Sequence, residues 1–210
     1  MLAIFKREFK SYFQNVIGWL FVAALLAVYG LYFYVYNLKN GYPYISYDLN
    51  GIGFIMMIAV PILTMRSLSD EKKTKTDQLM LTSPVSVGKI VAGKYFAMAA
   101  VYTIVIALFA LSPLVLSIYG KVALSEAYVA LFGYWLYGLS CIAVGLFISS
   151  ISESVIISAI LTFAALFLSY MMQSITGLIS SSGNLLTKVL NCFDLYTPFE
   201  NFVSGCFSVT

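Results

Sequence analysis

The chain has 210 residues, 61% hydrophobic and 10% charged, with a net charge of +3 and no histidine. A soluble domain lies nearer half apolar and a quarter charged, so this composition excludes an ordinary globular enzyme and indicates an integral membrane protein. Without histidine, imidazole zinc sites and Ser-His-Asp or Ser-His catalytic groups are excluded, and Cys141, Cys192 and Cys206 show no C-x-x-C metal spacing.

In chain order, residues 1–15 come first. The segment IFKREFKSYF places Ile4, Phe5, Phe9, Tyr12 and Phe13 on one helical face, with Lys6, Arg7 and Lys10 mostly away from it. Such a helix suits the headgroup layer, and a plain extension of the first span is the alternative. The segment is not a cleavable signal, because its apolar run begins late and is too long.

Five runs approach the ~20 apolar residues that cross a bilayer: Val16–Tyr36, Leu49–Met65 with Pro61, Tyr95–Ile118 with Pro113, Ala127–Ile148 and Val155–Met172. The transmembrane bundle is thus expected over residues 16–172. Residues 173–210 are too polar and broken for a clear sixth span, and are expected to be extracytoplasmic. There Cys192 and Cys206 pair if the segment faces an oxidising compartment, or stay free.

With the N-terminus in the cytoplasm, nine basic residues (Lys6, Arg7, Lys10, Arg66, Lys72, Lys73, Lys75, Lys89 and Lys94) fall inside and three (Lys39, Lys121 and Lys188) outside. That bias obeys the positive-inside rule. The net charge therefore reports topology and does not point to nucleic acid. Lys89 and Lys94 are expected to anchor the third span by snorkelling. No ionisable residue is expected deep in any span, which argues against proton relays.

GKIVAGKY, Gly88 to Tyr95, has the G-x-x-x-x-G-K spacing of a phosphate-binding loop. Tyr95 stands where the magnesium-binding Ser or Thr belongs, an apolar helix follows, and no acidic Walker B strand accompanies it. The chain itself is expected to hydrolyse no ATP and to bind no cofactor.

The longest charged segment runs from Leu63 to Tyr95, between the second and third spans, with a cytoplasmic loop over residues 66–94. Leu68, Leu79, Met80 and Leu81 sit among Asp70, Glu71, Lys72, Lys73, Lys75 and Asp77. Ser69 or Thr76 would cap a short amphipathic helix here, and Pro84 would end it. A solvated charged loop is the alternative.

In the fourth span Gly138, Cys141 and Gly145 share a face, and in the fifth Ser154, Ser158 and Thr162 form a ridge, as packing surfaces between helices do. A polar substrate path along the ridge is the second reading.

The run T-M-R, D-E-K-K, T-D-Q-L-M-L-T-S-P-V and G-K-Y resembles the cytoplasmic loop of ABC-2 type transporter permeases, most nearly the GldF/NosY-like branch. Thr64, Met65, Arg66, Glu71, Thr76, Leu79, Leu81, Thr82, Pro84, Val85, Gly93 and Lys94 carry the likeness, and Lys75 stands where that pattern has glycine. The resemblance implies an all-α integral membrane protein, an ABC-2 (type V exporter) transmembrane domain showing five of six spans behind an N-terminal amphipathic interfacial helix.

It further implies a permease in the inner (plasma) membrane that works with an ABC ATP-binding subunit carrying ATP and Mg, with a second permease copy or related permease, and with membrane lipid. Arg66, Asp70, Glu71, Thr76, Asp77, Leu79, Leu81 and Pro84 would then meet the ATPase, helped by Glu153 in the turn after the fourth span. A helix over Ser67–Ser83 would turn Glu71 and Asp77 toward the ATPase. A non-transporting scaffold that recruits a cytoplasmic partner is the other reading.

Overall fold

In the computed structural model, residues 2–75, 86–119 and 122–179 are described, together with Tyr196 and Phe199; of residues 172–179 only the helical backbone is described. Every regular element among them is helical: α1 (Leu2–Gln14), α2 (Val16–Phe33), α3 (Ser46–Thr64), α4 (Ser69–Lys73), α5 (Val87–Phe109), α6 (Ser112–Tyr119), α7 (Leu124–Ile151) and α8 (Val155–Ile179). A π-helical turn, Tyr34–Lys39, prolongs α2. The protein is an all-α membrane protein. Four stretches, Val16–Lys39, Ser46–Lys73, Val87–Ile118 and Leu124–Ile151, are long and apolar enough to cross a bilayer, and the apolar helix Val155–Met171 is shorter.

The chain breaks at Asn15, whose backbone is extended at φ −93° and ψ 151°. Helix α1 is therefore not a straight continuation of the first span. It packs instead against α2 and α5, with Phe9, Tyr12 and Phe13 against the core. A ladder of rings, Phe5, Phe9, Phe13 and Trp19, runs along it.

The third span begins at Val87, earlier than expected, and breaks before Pro113. Proline has no N–H to donate to the carbonyl four residues back. The Ser112 hydroxyl takes that place, donating to Phe109 O at 2.7 Å.

Helix α3 occupies the centre, packed against α2, α7 and α8, and burial of Leu49, Met56, Val60 and Leu63 places the core along it. Leu20 and Leu31 of α2, Phe147 of α7 and Ile156 and Ile160 of α8 point outward. Water would penalise such a surface, whereas a bilayer accommodates it.

Two ionisable side chains, Asp48 and Lys94, are buried at the margins of the expected spans, at 0% and 2% exposure. Both lie near helix starts and both are bonded. The Asn37 amide donates to the Asp48 carboxylate at the end remote from α1. Cys141 is a buried free thiol; Cys192 and Cys206 lie outside the described residues, as does nearly all of 180–210.

Candidate functional site

The charged segment after α3 makes a tight turn over Met65–Leu68 and then the five-residue helix α4. Ser69 does not cap it, because its hydroxyl donates back to Met65 O. The cap comes from a different helix: Ser149 Oγ, near the end of α7, accepts Leu68 N–H and Ser69 N–H, each at 3.2 Å. A serine oxygen satisfies orphan donors in this way whether or not it belongs to the same element. Lys72 Nζ also donates to Ser150 O. The α4 segment is thus fastened onto the end of α7 and reaches α8 as well.

Of the helix expected over Ser67–Ser83, residues 76–83 lie outside the described residues, and the described part is α4. It ends at Lys73, and Lys75 adopts φ 55°. This is the left-handed conformation that closes helices and that glycine takes most readily.

Behind α4 lies the second surprise. Lys94, expected to snorkel, is buried, whereas Lys89 one turn earlier is exposed. Lys94 Nζ donates to Glu71 Oε1 at 2.7 Å and to Ser67 O at 2.8 Å, and stands 3.5 Å from Glu8 Oε1. An ammonium group has three donors, and all three find an acceptor. Arg7 adds a bond to Glu8 at 2.7 Å and approaches Glu71 at 3.8 Å. A buried cation persists only when paired, and this pairing joins α1, α4 and α5. Tyr12 of α1 leans on the same cluster: burial first, then the Glu8 carboxylate, pushes its hydroxyl well above the ordinary range, partly offset by Ser67. It stays neutral and reaches Leu63 O at 3.5 Å.

The residues singled out in the sequence fall into three groups. Arg66 and Asp70 sit on the rim, 3.8 Å apart and both substantially exposed. Glu71 turns inward to Lys94, so its carboxylate does not face outward beside theirs, as expected. Glu153 is exposed in the turn after α7, at the same end as α4. Thr76, Asp77, Leu79, Leu81 and Pro84 lie outside the described residues.

Gly138 and Gly145 lie where neighbours leave no room for a Cβ: it would stand 2.2 Å from Tyr102 Cζ in one case and 2.5 Å from Thr64 Oγ1 in the other. Cys141 is buried between them, and Ser158 and Thr162 are fully buried on α8 with Ser154 half-buried. Sequence reasoning missed Glu8, Ser67 and Ser149. Glu8 carried the one available signal, as the only acid in residues 1–15.

A cavity of about 710 Å³ opens between α1 and the α3–α4 corner, from Ile17 and Leu63 at its floor to Arg66 and Thr74 at its rim. Gly88 to Tyr95, the segment with phosphate-loop spacing, is continuous α-helix inside α5. Its N–H groups do not form a phosphate cradle, and its lysine is spent on Glu71.

A bundle of apolar helices with one charged, cross-braced end defines a multi-pass membrane protein whose polar work is done at that end. Residues 9–207 match the family described as ABC-2 family transporter protein, and the chain belongs to that family. It is accordingly a permease subunit of an ABC transporter, of a family whose membrane domains lack an ATPase site and generally work with an ABC ATP-binding subunit. No curated protein and no solved structure matches the chain.

Proposed function

We propose that this chain is the membrane half of an ATP-driven exporter of the GldF/NosY-like branch, coupled to a separate ATPase that docks on the α4 end. The observation that carries the reading is the Ser149 cap, which makes α4 and the end of α7 one surface. A push on α4 then reaches α7 through Ser149 and α5 and α1 through Lys94. Arg66, Asp70 and Glu153 offer the exposed charge on this surface, and the neighbouring Thr76, Asp77, Leu79, Leu81 and Pro84 supply the remaining contacts. ATP and Mg belong to the ATPase.

The nine-to-three distribution of basic residues supports a cytoplasmic side for α1 and α4, and the membrane in this reading is the inner (plasma) membrane. Two copies, or this chain and a related permease, pair around the pathway. The buried Gly138 and Gly145 face and the Ser158 and Thr162 ridge pack inside one bundle and do not line that pathway.

Apolar anchors dominate such docking, because exposed ion pairs contribute only about 0–1 kcal/mol each. Leu79→Asp therefore abolishes ATPase copurification and transport while leaving membrane insertion intact. Ser149→Ala keeps the docking residues but frees α4 from α7, so transport per ATP hydrolysed falls while the ATPase still copurifies. Normal copurification and transport in Leu79→Asp would move the docking site elsewhere; normal coupling in Ser149→Ala would remove the brace from the mechanism.

A further inference from the structure

We infer that the cavity beside α1 holds the headgroup of a phosphatidylethanolamine molecule from the surrounding bilayer. Its placement is the first argument. Ile17 lies in the first turn of the α2 span and Leu63 in the last turn of α3, so the floor is apolar and belongs to the membrane, while Arg7, Arg66, Asp70 and Thr74 form a polar upper wall. A volume near 710 Å³ lies within the range of about 300–1,000 Å³ typical of ligand pockets. Trp19 and the ring ladder on α1 stand where aromatic residues mark the interface.

Charge is the second argument. The walls contain Arg7, Arg66 and Lys94 against Glu8, Asp70 and Glu71, which balance. Lys94 is fully occupied by its three acceptors, but Arg66 and Asp70 are loosely paired at 3.8 Å and half exposed. Such a pair exchanges partners at little cost. A phosphate accepts from Arg66, an ammonium donates to Asp70, and the glycerol backbone rests on Leu63 and Ile17.

The same inventory selects among headgroups. A choline has no N–H to donate and is recognised by aromatic cages, whereas Tyr12 is the one ring in this lining. A glycerol headgroup brings a net anion to a wall whose own charges already balance, and it has no ammonium to donate to Asp70. This inference needs only that the chain spans a membrane, and it stands or falls independently of the ATPase.

The test uses the full chain, delipidated and returned to nanodiscs of equal dioleoyl phosphatidylethanolamine, phosphatidylcholine and phosphatidylglycerol, with retained lipid read by native mass spectrometry after extraction. The ethanolamine lipid is expected at one per chain and at roughly tenfold excess over either competitor, the discrimination worth one charge-assisted hydrogen bond. Arg66→Ala and Asp70→Asn each remove that excess, and the remote Tyr47→Phe keeps it. Equal retention of the three lipids, a preference for phosphatidylglycerol, or full retention in both rim variants overturns the assignment. Soluble glycerophosphoethanolamine, lacking the apolar floor contact, should not displace the lipid at equal concentration. If it does, the site belongs to a soluble zwitterion and the lipid assignment falls.

Discussion

The two ends of the bundle are held by different physics. At the α1 end, a few directional bonds converge on Lys94 and leave a large cavity beside them. At the opposite end, rings fill the space: Tyr137 stacks on Phe199 at 5.3 Å and meets Tyr196 edge-on at 5.9 Å, Tyr134 lies 5.6 Å from Phe199, and Tyr196 donates to Asn50 Oδ1 at 2.9 Å. One charge at that end, Asp48, is buried against Asn37. Packed rings move only if their neighbours yield volume, whereas hydrogen-bonded ions exchange partners once water or a ligand arrives. One end is suited to hold its shape and the other to change it.

The comparison is broken most severely by Lys94→Ala. It leaves the partly buried Glu71 and Glu8 carboxylates with only the exposed Arg7 as a cation, and removing one partner of a buried pair costs about 3–5 kcal/mol. Because those carboxylates are 19% and 15% exposed, the lower figure of about 3 kcal/mol is expected. Thermal unfolding in detergent reads it. Lys94→Met combined with Glu71→Gln should recover much of the loss, since it removes the orphan charge as well.

Tyr137→Ala tests the other end. In water, deleting a large ring costs about 3–5 kcal/mol, part of it transfer free energy. Inside a bilayer that transfer part falls away, leaving lost contacts and the cavity, so about 2 kcal/mol is expected. It should leave both ATPase copurification and coupling of transport to ATP hydrolysis unchanged. A ring variant that uncoupled transport while the Lys94 variant did not would reverse the roles of the two ends.

These differences also explain what could be read from the sequence. The spans are one-dimensional objects, so apolar runs located the four membrane-length helices and the shorter one after them, and family membership followed from the loop motif. The positions of Gly138 and Gly145 in tight contacts follow from small residues recurring on one helix face. Lys94 was misjudged because a lysine at the edge of an apolar run is either solvated or paired, and the choice rests on Glu71 and Glu8, 23 and 86 positions away. The α4 cap was likewise sought in Ser69 and supplied by Ser149, 80 positions distant. Such closures are tertiary, and periodicity carries no trace of them.

Lys75 is a different case, a left-handed backbone position occupied by a residue with a side chain. A non-glycine residue at φ 55° carries a steric cost of roughly 1–2 kcal/mol. Lys75→Gly relieves it but makes the unfolded chain more flexible, so a net gain of at most about 1 kcal/mol is expected. A loss of stability in this variant would show that the lysine side chain contributes more than its backbone strain costs.

Arg66→Ala should have the smallest effect of all on stability, and that smallness sharpens the contrast within the charged end itself. The guanidinium and the Asp70 carboxylate are 3.8 Å apart with 51% and 42% of their side chains exposed. Exposed pairs of this spacing contribute about 0.3–0.5 kcal/mol, and salt at physiological strength screens them over about 8 Å. The unfolding midpoint should therefore barely move, and what shift there is should vanish at high salt. The loss in Lys94→Ala should persist under the same conditions, because a buried pair is screened much less. If Arg66→Ala destabilised the protein as strongly as Lys94→Ala, and equally at every salt concentration, the rim would be part of the brace and Arg66 would not be free to exchange its partner for a phosphate.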